Sequence, residues 1–133
     1  MIYLPDTNVC IQYLRSKHAG IQAKFRSMSP KEIAMCDVVS AELWYGVNRG
    51  GRYETDAPIL RVFLAPFRSV PFDHNAAEIY GNIRRVLEAT GTPIGPYDLQ
   101  IAAVALANNL TLVTHNAREF SRVPGLILED WEI

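Results

Sequence analysis

The chain has 133 residues, 49% hydrophobic and 20% charged, with a net charge of −1. That size supports one domain with a real core, expected to span residues 1–133. No apolar run approaches the roughly 20 residues of a bilayer span, and Met1-Ile2-Tyr3-Leu4-Pro5 has neither the charge nor the length of a signal peptide, so a cytoplasmic protein with no membrane partner is expected.

Ile2-Tyr3-Leu4-Pro5 is an apolar run of strand length ending at Asp6. Val9, Ile11, Tyr13 and Leu14 then follow a helical spacing. A second helix is expected from about His18 to Met28, stopped by Ser29-Pro30. Ile33-Ala34-Met35-Cys36 reads as a buried strand, and Ser40 as the N-cap of a helix carrying Glu42 in its first turn. Gly50-Gly51 breaks the chain before a helix from Tyr53 to Ala65.

Ser69-Val70-Pro71-Phe72 reads as a short strand whose proline asks for an edge or terminal position. Asp73 caps the clearest helix, with Ala76, Ile79, Tyr80, Ile83, Val86, Leu87 and Thr90 on its inner face and Gly91 at its end. A helix rich in small residues runs from Tyr97 to Ala107. Leu110 to Thr114 is a strand, Arg118 to Arg122 a helical turn, and Leu126-Ile127-Leu128 a last strand. Strands alternating with helices predict an α/β fold with a parallel sheet covered on both faces. Sites in such sheets lie beyond the carboxyl ends of the strands.

Four acids stand at element ends: Asp6, Glu42, Asp98 and Glu119. Each alone reads as a helix cap, a first-turn acid or a surface charge. Carboxylates brought to one edge of a parallel sheet would instead hold a hard divalent cation. Such ions would cancel their charge and leave a basic protein in which ten of thirteen cationic residues are arginine, the better phosphate fork. No run of like charge is present, which excludes non-specific coating of DNA. Cys10 and Cys36 lack ligand-spaced histidines and read as reduced, buried thiols.

A cation at these acids would activate a water for in-line attack on phosphorus, with a second ion able to stabilise the leaving oxygen. No 2′-hydroxyl nucleophile is needed, so the cut should leave a 5′-phosphate and a 3′-hydroxyl. His115 has no sequence motif tying it to His18 or His74, which disfavours histidine-based cleavage. Arg84, Arg85, Arg118 and Arg122 are equally readable as phosphate contacts or as partners of Glu88 and Glu119. Trp44, Tyr45 and Phe120 are expected in the core, with Tyr97 the better base-stacking candidate.

Four blocks carry a resemblance. They are the strand followed by Asp6-Thr7-Asn8, Ser40-Ala41-Glu42-Leu43-Trp44-Tyr45-Gly46, the stretch from Thr92 through Ile94-Gly95-Pro96-Tyr97-Asp98 to Ala103, and Thr114-His115-Asn116-Ala117-Arg118-Glu119-Phe120. Together they resemble the successive motifs of PIN-domain ribonucleases, and more closely those of the VapC toxins of bacterial toxin–antitoxin pairs. The resemblance implies a PIN-like three-layer sandwich with a central, mostly parallel sheet. It implies a Mg²⁺- or Mn²⁺-dependent endoribonuclease acting on structured RNA, often tRNA. Asp6, Glu42 and Asp98 match the family's acidic metal positions, and Thr7, Asn8, Thr114 and Asn116 its polar lining. Many PIN domains have Asp where this chain has Asn116, a departure that Glu119 would compensate.

The resemblance further implies a homodimer and a VapB-like antitoxin partner, with operator DNA bound only through that partner. A phospho-receiver domain would carry an adjacent acid pair after the first strand and a late lysine, and no lysine follows Lys31. A haloacid-dehalogenase-type phosphatase would have a second Asp where Asn8 stands. A structure-specific DNA nuclease and a catalytically inactive scaffold on the same fold are the remaining alternatives.

Overall fold

The computed structural model describes all 133 residues. Strand β1 is Tyr3–Pro5, followed by helices α1 (Thr7–Leu14) and α2 (Ala19–Ser27) and a single 3₁₀ turn at Pro30–Glu32. Then come β2 (Ala34–Cys36), α3 (Asp37–Arg49), α4 (Tyr53–Leu64), β3 (Arg68–Val70), α5 (His74–Ala89) and α6 (Pro96–Ala107). The chain finishes with β4 (Thr111–Val113), α7 (Ala117–Phe120) and β5 (Leu128–Glu129).

All pairings are parallel. Leu4 faces Leu112 across β1 and β4, Leu112 faces Leu128 across β4 and β5, and Met35 faces Ser69 across β2 and β3. A bridge between Tyr3 and Ile33 joins the two parts, giving the order β3-β2-β1-β4-β5. Pro5 explains why the join is so short. The Asp6 amide donates to Val113 O (2.9 Å), so the alternate position, Pro5, faces β2 with no N–H to give.

Every residue of β2 is buried, as expected for a parallel sheet with helices on both faces. The sheet contributes Leu4, Ile33, Met35, Leu112 and Val113 to the core. The middle of helix α6 has no polar face: Ile101, Ala102, Ala103, Val104 and Ala105 are all fully buried. Its small side chains let α5 pack closely against it. Phe25 sits between Tyr13, Phe63 and Trp131, with ring centroids 4.4 to 5.9 Å away. No helix is long and apolar enough to cross a membrane, and Cys10 and Cys36 are free, buried thiols.

Three expectations need correction. Helix α3 starts at Asp37, not after Ser40, and its N-cap position is Cys36, which makes no side-chain cap bond. Glu42 therefore lies in the second turn. The run Val38-Val39 reads as strand, yet Val39 pairs at i,i+4 with Leu43 on one buried helical face. Tyr45 is not core: it falls about 200° around the helix from Leu43 and is 65% exposed. The last strand begins at Leu128: Gly125 (φ +79°) and the turn bond from Leu126 N to Val123 O hold Leu126 in the turn, and Ile127 joins the ladder only through its carbonyl, which accepts the Leu112 amide (2.9 Å). Asp73 caps α5 through Ala76 N, and β3 is an edge strand, both as expected.

Gly20 lies in the first turn of α2, and a Cβ there would sit 2.7 Å from Trp131 O. Alanine gains at most about 1 kcal/mol in helix propensity, while forcing a backbone carbonyl aside costs about 1–3 kcal/mol. Gly20→Ala should therefore lower the melting temperature by a few degrees in calorimetry. An unchanged or higher value would mean that the segment around Trp131 yields freely.

Candidate active site

The sheet reverses direction of growth between β1 and β4, and Asp6 is the residue immediately beyond the carboxyl end of β1. Its amide is held by Val113 O, and its Oδ1 accepts the Val9 amide (2.9 Å), capping α1. Asp6 is thus both a cap and a buried acid, 5% exposed. Burial pushes its carboxyl up, and the charges of Glu132 and Glu42 add to this, against hydrogen bonds from Thr114 and Val9.

Thr7 follows on the first turn of α1, and its hydroxyl donates to Glu42 Oε1 at 2.6 Å. Asp98 stands in the first turn of α6, whose N-cap position is Gly95 with no side-chain cap, so Asp98 is not a cap. Helix α6 returns the chain to β4, which puts its start over the strand ends. Burial pushes the Asp98 carboxyl up to about 6, from its usual 3.8, and the charges of Asp6, Glu42 and Glu119 push in the same direction. Four acids drawn from four elements therefore share one electric field.

Asp6, Thr7, Asn8, Glu42 and Asp98 line a cleft of about 1120 Å³. Glu119, Thr114 and Asn116 do not form its wall. Thr114 is fully buried behind it and accepts the Asn116 amide (2.9 Å). Asn116 in turn donates its side-chain N–H to Glu119 Oε2 (3.0 Å). Asp6, Glu42 and Asp98 line the cleft and do not collapse onto one point: donor atoms of three acid, imidazole or thiol side chains come within 4.8 Å of one another only at His115, Asp130 and Glu132. The cleft wall carries no histidine or cysteine, an oxygen-only donor set of the kind hard divalent cations take.

Sequence reasoning missed several wall residues. Asp37 lines the cleft and was findable by the same strand-end rule as Asp6. Tyr45 and Arg49 also line it, the guanidinium 5.7 Å from the ring centroid. Their helix was recognised but its phase was not. Tyr97 is 60% exposed at the rim beside Asp98, as expected. Arg84 pairs with Glu88 (3.0 Å) and stands away from the cleft. Trp44 is partly buried and Phe120 fully so. His74 is exposed at the start of α5, whereas His115 lies 2.9 Å from Asp130 Oδ2 and off the cleft wall.

The raised Asp98 value predicts a pH-dependent cost. The folded form binds this proton more tightly than the unfolded chain, so ionised Asp98 destabilises the fold. That cost is complete above about pH 6 and disappears as pH falls through the usual value of 3.8. Allowing for solvent screening at this half-buried group, it is on the order of 1 kcal/mol. In EDTA at pH 7.5, Asp98→Asn should melt a few degrees higher than wild type, and the two curves should converge near pH 4. Equal melting at pH 7.5 would show that the carboxylates do not feel one another.

A PIN-domain family model matches residues 3–126. The chain is 40% identical to Ribonuclease VapC2 of Rickettsia felis over 134 residues, covering 99% of each protein. It is 34% identical to the tRNA(fMet)-specific endonuclease VapC of Salmonella typhimurium, covering 97% of each. Among solved structures, VapBC2 from Rickettsia felis bound to a promoter DNA fragment superposes with a TM-score of 0.91 at 37% identity, over 98% of this chain and 99% of that one. DNA-bound VapBC from Salmonella typhimurium gives 0.93 at 34% identity, over 98% of both chains. Matched from end to end in sequence and in fold, the protein belongs to the PIN-domain family, among its VapC ribonucleases.

Proposed function

We propose that the protein is the endoribonuclease toxin of a toxin–antitoxin pair, hydrolysing phosphodiester bonds in structured RNA of the tRNA class with Mg²⁺, or with Mn²⁺ in its place. The observation that carries this reading is the shared field at Asp98. Burial, and after it the charges of Asp6, Glu42 and Glu119, raise its carboxyl inside an oxygen-lined cleft at the switch point of a parallel sheet. An array of like charge in a half-buried site is costly, and that cost is recovered when a cation binds.

Asp6, Glu42 and Asp98 would hold a divalent cation, with Glu119 completing the site directly or through water, and that ion would supply an acidified water and offset charge developing on the phosphoryl oxygens. The chain's own residues do the positioning. Asp6 is fixed by two backbone contacts and cannot swing. The Thr7 hydroxyl holds Glu42, and the Asn116 amide holds Glu119. Arg49, on the cleft wall, is placed to meet a phosphate. Water attacks phosphorus, the bond to the 3′ oxygen breaks, and that oxygen takes a proton. The products are a 5′-phosphate and a 3′-hydroxyl.

The solved relatives are complexes named VapBC, two of them bound to DNA. For this chain we take the same arrangement: a VapB-like antitoxin whose basic side chain neutralises the cleft, a toxin homodimer, and operator DNA bound only through the antitoxin. The name of the Salmonella relative, a tRNA(fMet)-specific endonuclease, makes initiator tRNA the first substrate to test.

Antitoxin-free protein should cut tRNA but not single- or double-stranded DNA in Mg²⁺, and EDTA should stop it. Asp6→Ala should leave no measurable cleavage. Products ending in a 2′,3′-cyclic phosphate, or full activity in EDTA, would overturn the mechanism, and cleavage of DNA would favour the structure-specific nuclease. Thr7→Val, which releases Glu42, should lower kcat about 10-fold, as loss of a supporting contact to a metal ligand does. An unchanged kcat would remove Glu42 from the reacting centre.

A further inference from the structure

Beside the cleft lies a second cluster of a different chemistry. His115 leaves the end of β4, while Asp130 and Glu132 follow β5. The backbone aligns the two segments: Thr114 N donates to Glu129 O (3.0 Å), and Glu132 N donates to Asp130 Oδ1 (2.9 Å). His115 Nδ1 then stands 2.9 Å from Asp130 Oδ2 and 3.6 Å from Glu132 Oε2. One donor atom from each of the three residues lies within 4.8 Å of the other two. None of the three lines the acidic cleft.

Two further observations separate this cluster from an ordinary surface ion pair. Both carboxylate side chains are only 20% exposed, and neither is paired with a lysine or arginine; their cationic neighbours are imidazoles alone. Behind Glu132 stands His18, with Nε2 3.8 Å from the other carboxylate oxygen, Oε1. The His18 Nδ1 is buried and has no hydrogen-bond partner, so its polar contact in this region is the Nε2 facing Glu132. His18 thus stands as a polar neighbour behind a carboxylate that itself faces an open donor set, where an outer contact would steady a ligating carboxylate.

We propose that His115, Asp130 and Glu132 form a binding site for a borderline divalent transition-metal ion of the Zn²⁺ class, supported by His18 and distinct from the oxygen-only cleft. Donors bound at about 2.0–2.1 Å in a tetrahedron lie about 3.3 Å apart, and the observed 2.9 and 3.6 Å bracket that spacing. One imidazole and two carboxylates leave a fourth position for water. The imidazole selects against Mg²⁺, which takes oxygen ligands. His115 is the exposed member, 64% exposed, and its Nδ1 would exchange its contact with Asp130 for the ion without disturbing the core.

The test uses the full-length, antitoxin-free protein, stripped with EDTA and dialysed into millimolar Mg²⁺. Calorimetric titration with Zn²⁺ should show one tight equivalent, and Co²⁺ in its place should give a visible spectrum of nitrogen ligation. His115→Ala should weaken Zn²⁺ binding by more than about 10-fold and remove that spectrum, and His18→Gln should weaken it by about 10-fold. Asp98→Asn should bind Zn²⁺ as wild type does. His115 is exposed, so an unchanged melting curve for His115→Ala in EDTA certifies its fold. Zn²⁺ binding that survives His115→Ala, that is lost instead in Asp98→Asn, or that Mg²⁺ abolishes in wild type would overturn the site. RNA cleavage is measured independently of all three outcomes.

Discussion

The pairing of β1 with β4 governs the geometry of this molecule. These two strands are adjacent in the sheet but more than a hundred residues apart in the chain, and the sheet grows away from them in opposite directions. The crevice above their carboxyl ends is where the flanking helices cannot close over the sheet. Asp6 terminates the ladder, donating its amide to Val113 and accepting the Val9 amide on its side chain. Shift that register by one residue and Leu4 would turn outward, Asp6 would lose its amide bond to Val113, and Thr114 would leave the back of the cleft.

The same constraint explains how the protein tolerates an acid that is 5% exposed. Burial alone favours the neutral carboxyl, and the hydrogen bonds from Val9 and Thr114 work against it. Asp98, with no comparable donor, is raised first by burial and then by the charges of Asp6, Glu42 and Glu119. Charge is thus distributed unevenly around the cleft: one carboxylate anchored and internally solvated, another destabilised. Thr7 and Asn116 orient the remaining two, Glu42 and Glu119, from opposite sides.

Much of this was readable in the chain itself. Short apolar runs ending in polar residues located the strands, and Asp6 and Asp98 declared themselves by following a strand and opening a helix. The motif blocks then tied Glu42 and Asp98 to Asp6 across long separations that no local pattern links. What stayed hidden depended on phase or register. Paired valines at the start of α3 masked its first turn, so Tyr45 was assigned to the wrong side of its own helix. His115 and Asp130 are fifteen residues apart, and their meeting requires the β4–β5 alignment, which is set by the turn at Gly125. Propensity carries no information about either.

Helix α6 brings Asp98 to the cleft, and five consecutive residues of it, Ile101 through Ala105, have no exposed surface. Most helices retain a solvent face on which side chains can be exchanged at little cost. Over these five residues that face does not exist: enlarging any of them overpacks the core, and shrinking the larger ones opens a cavity. The residue that presents Asp98 to its partners is therefore carried on the segment with the least freedom to drift. Sequence change in this protein should accumulate on α2, α4 and the outer face of α5, while α6 acts as the fixed datum against which the cleft is built.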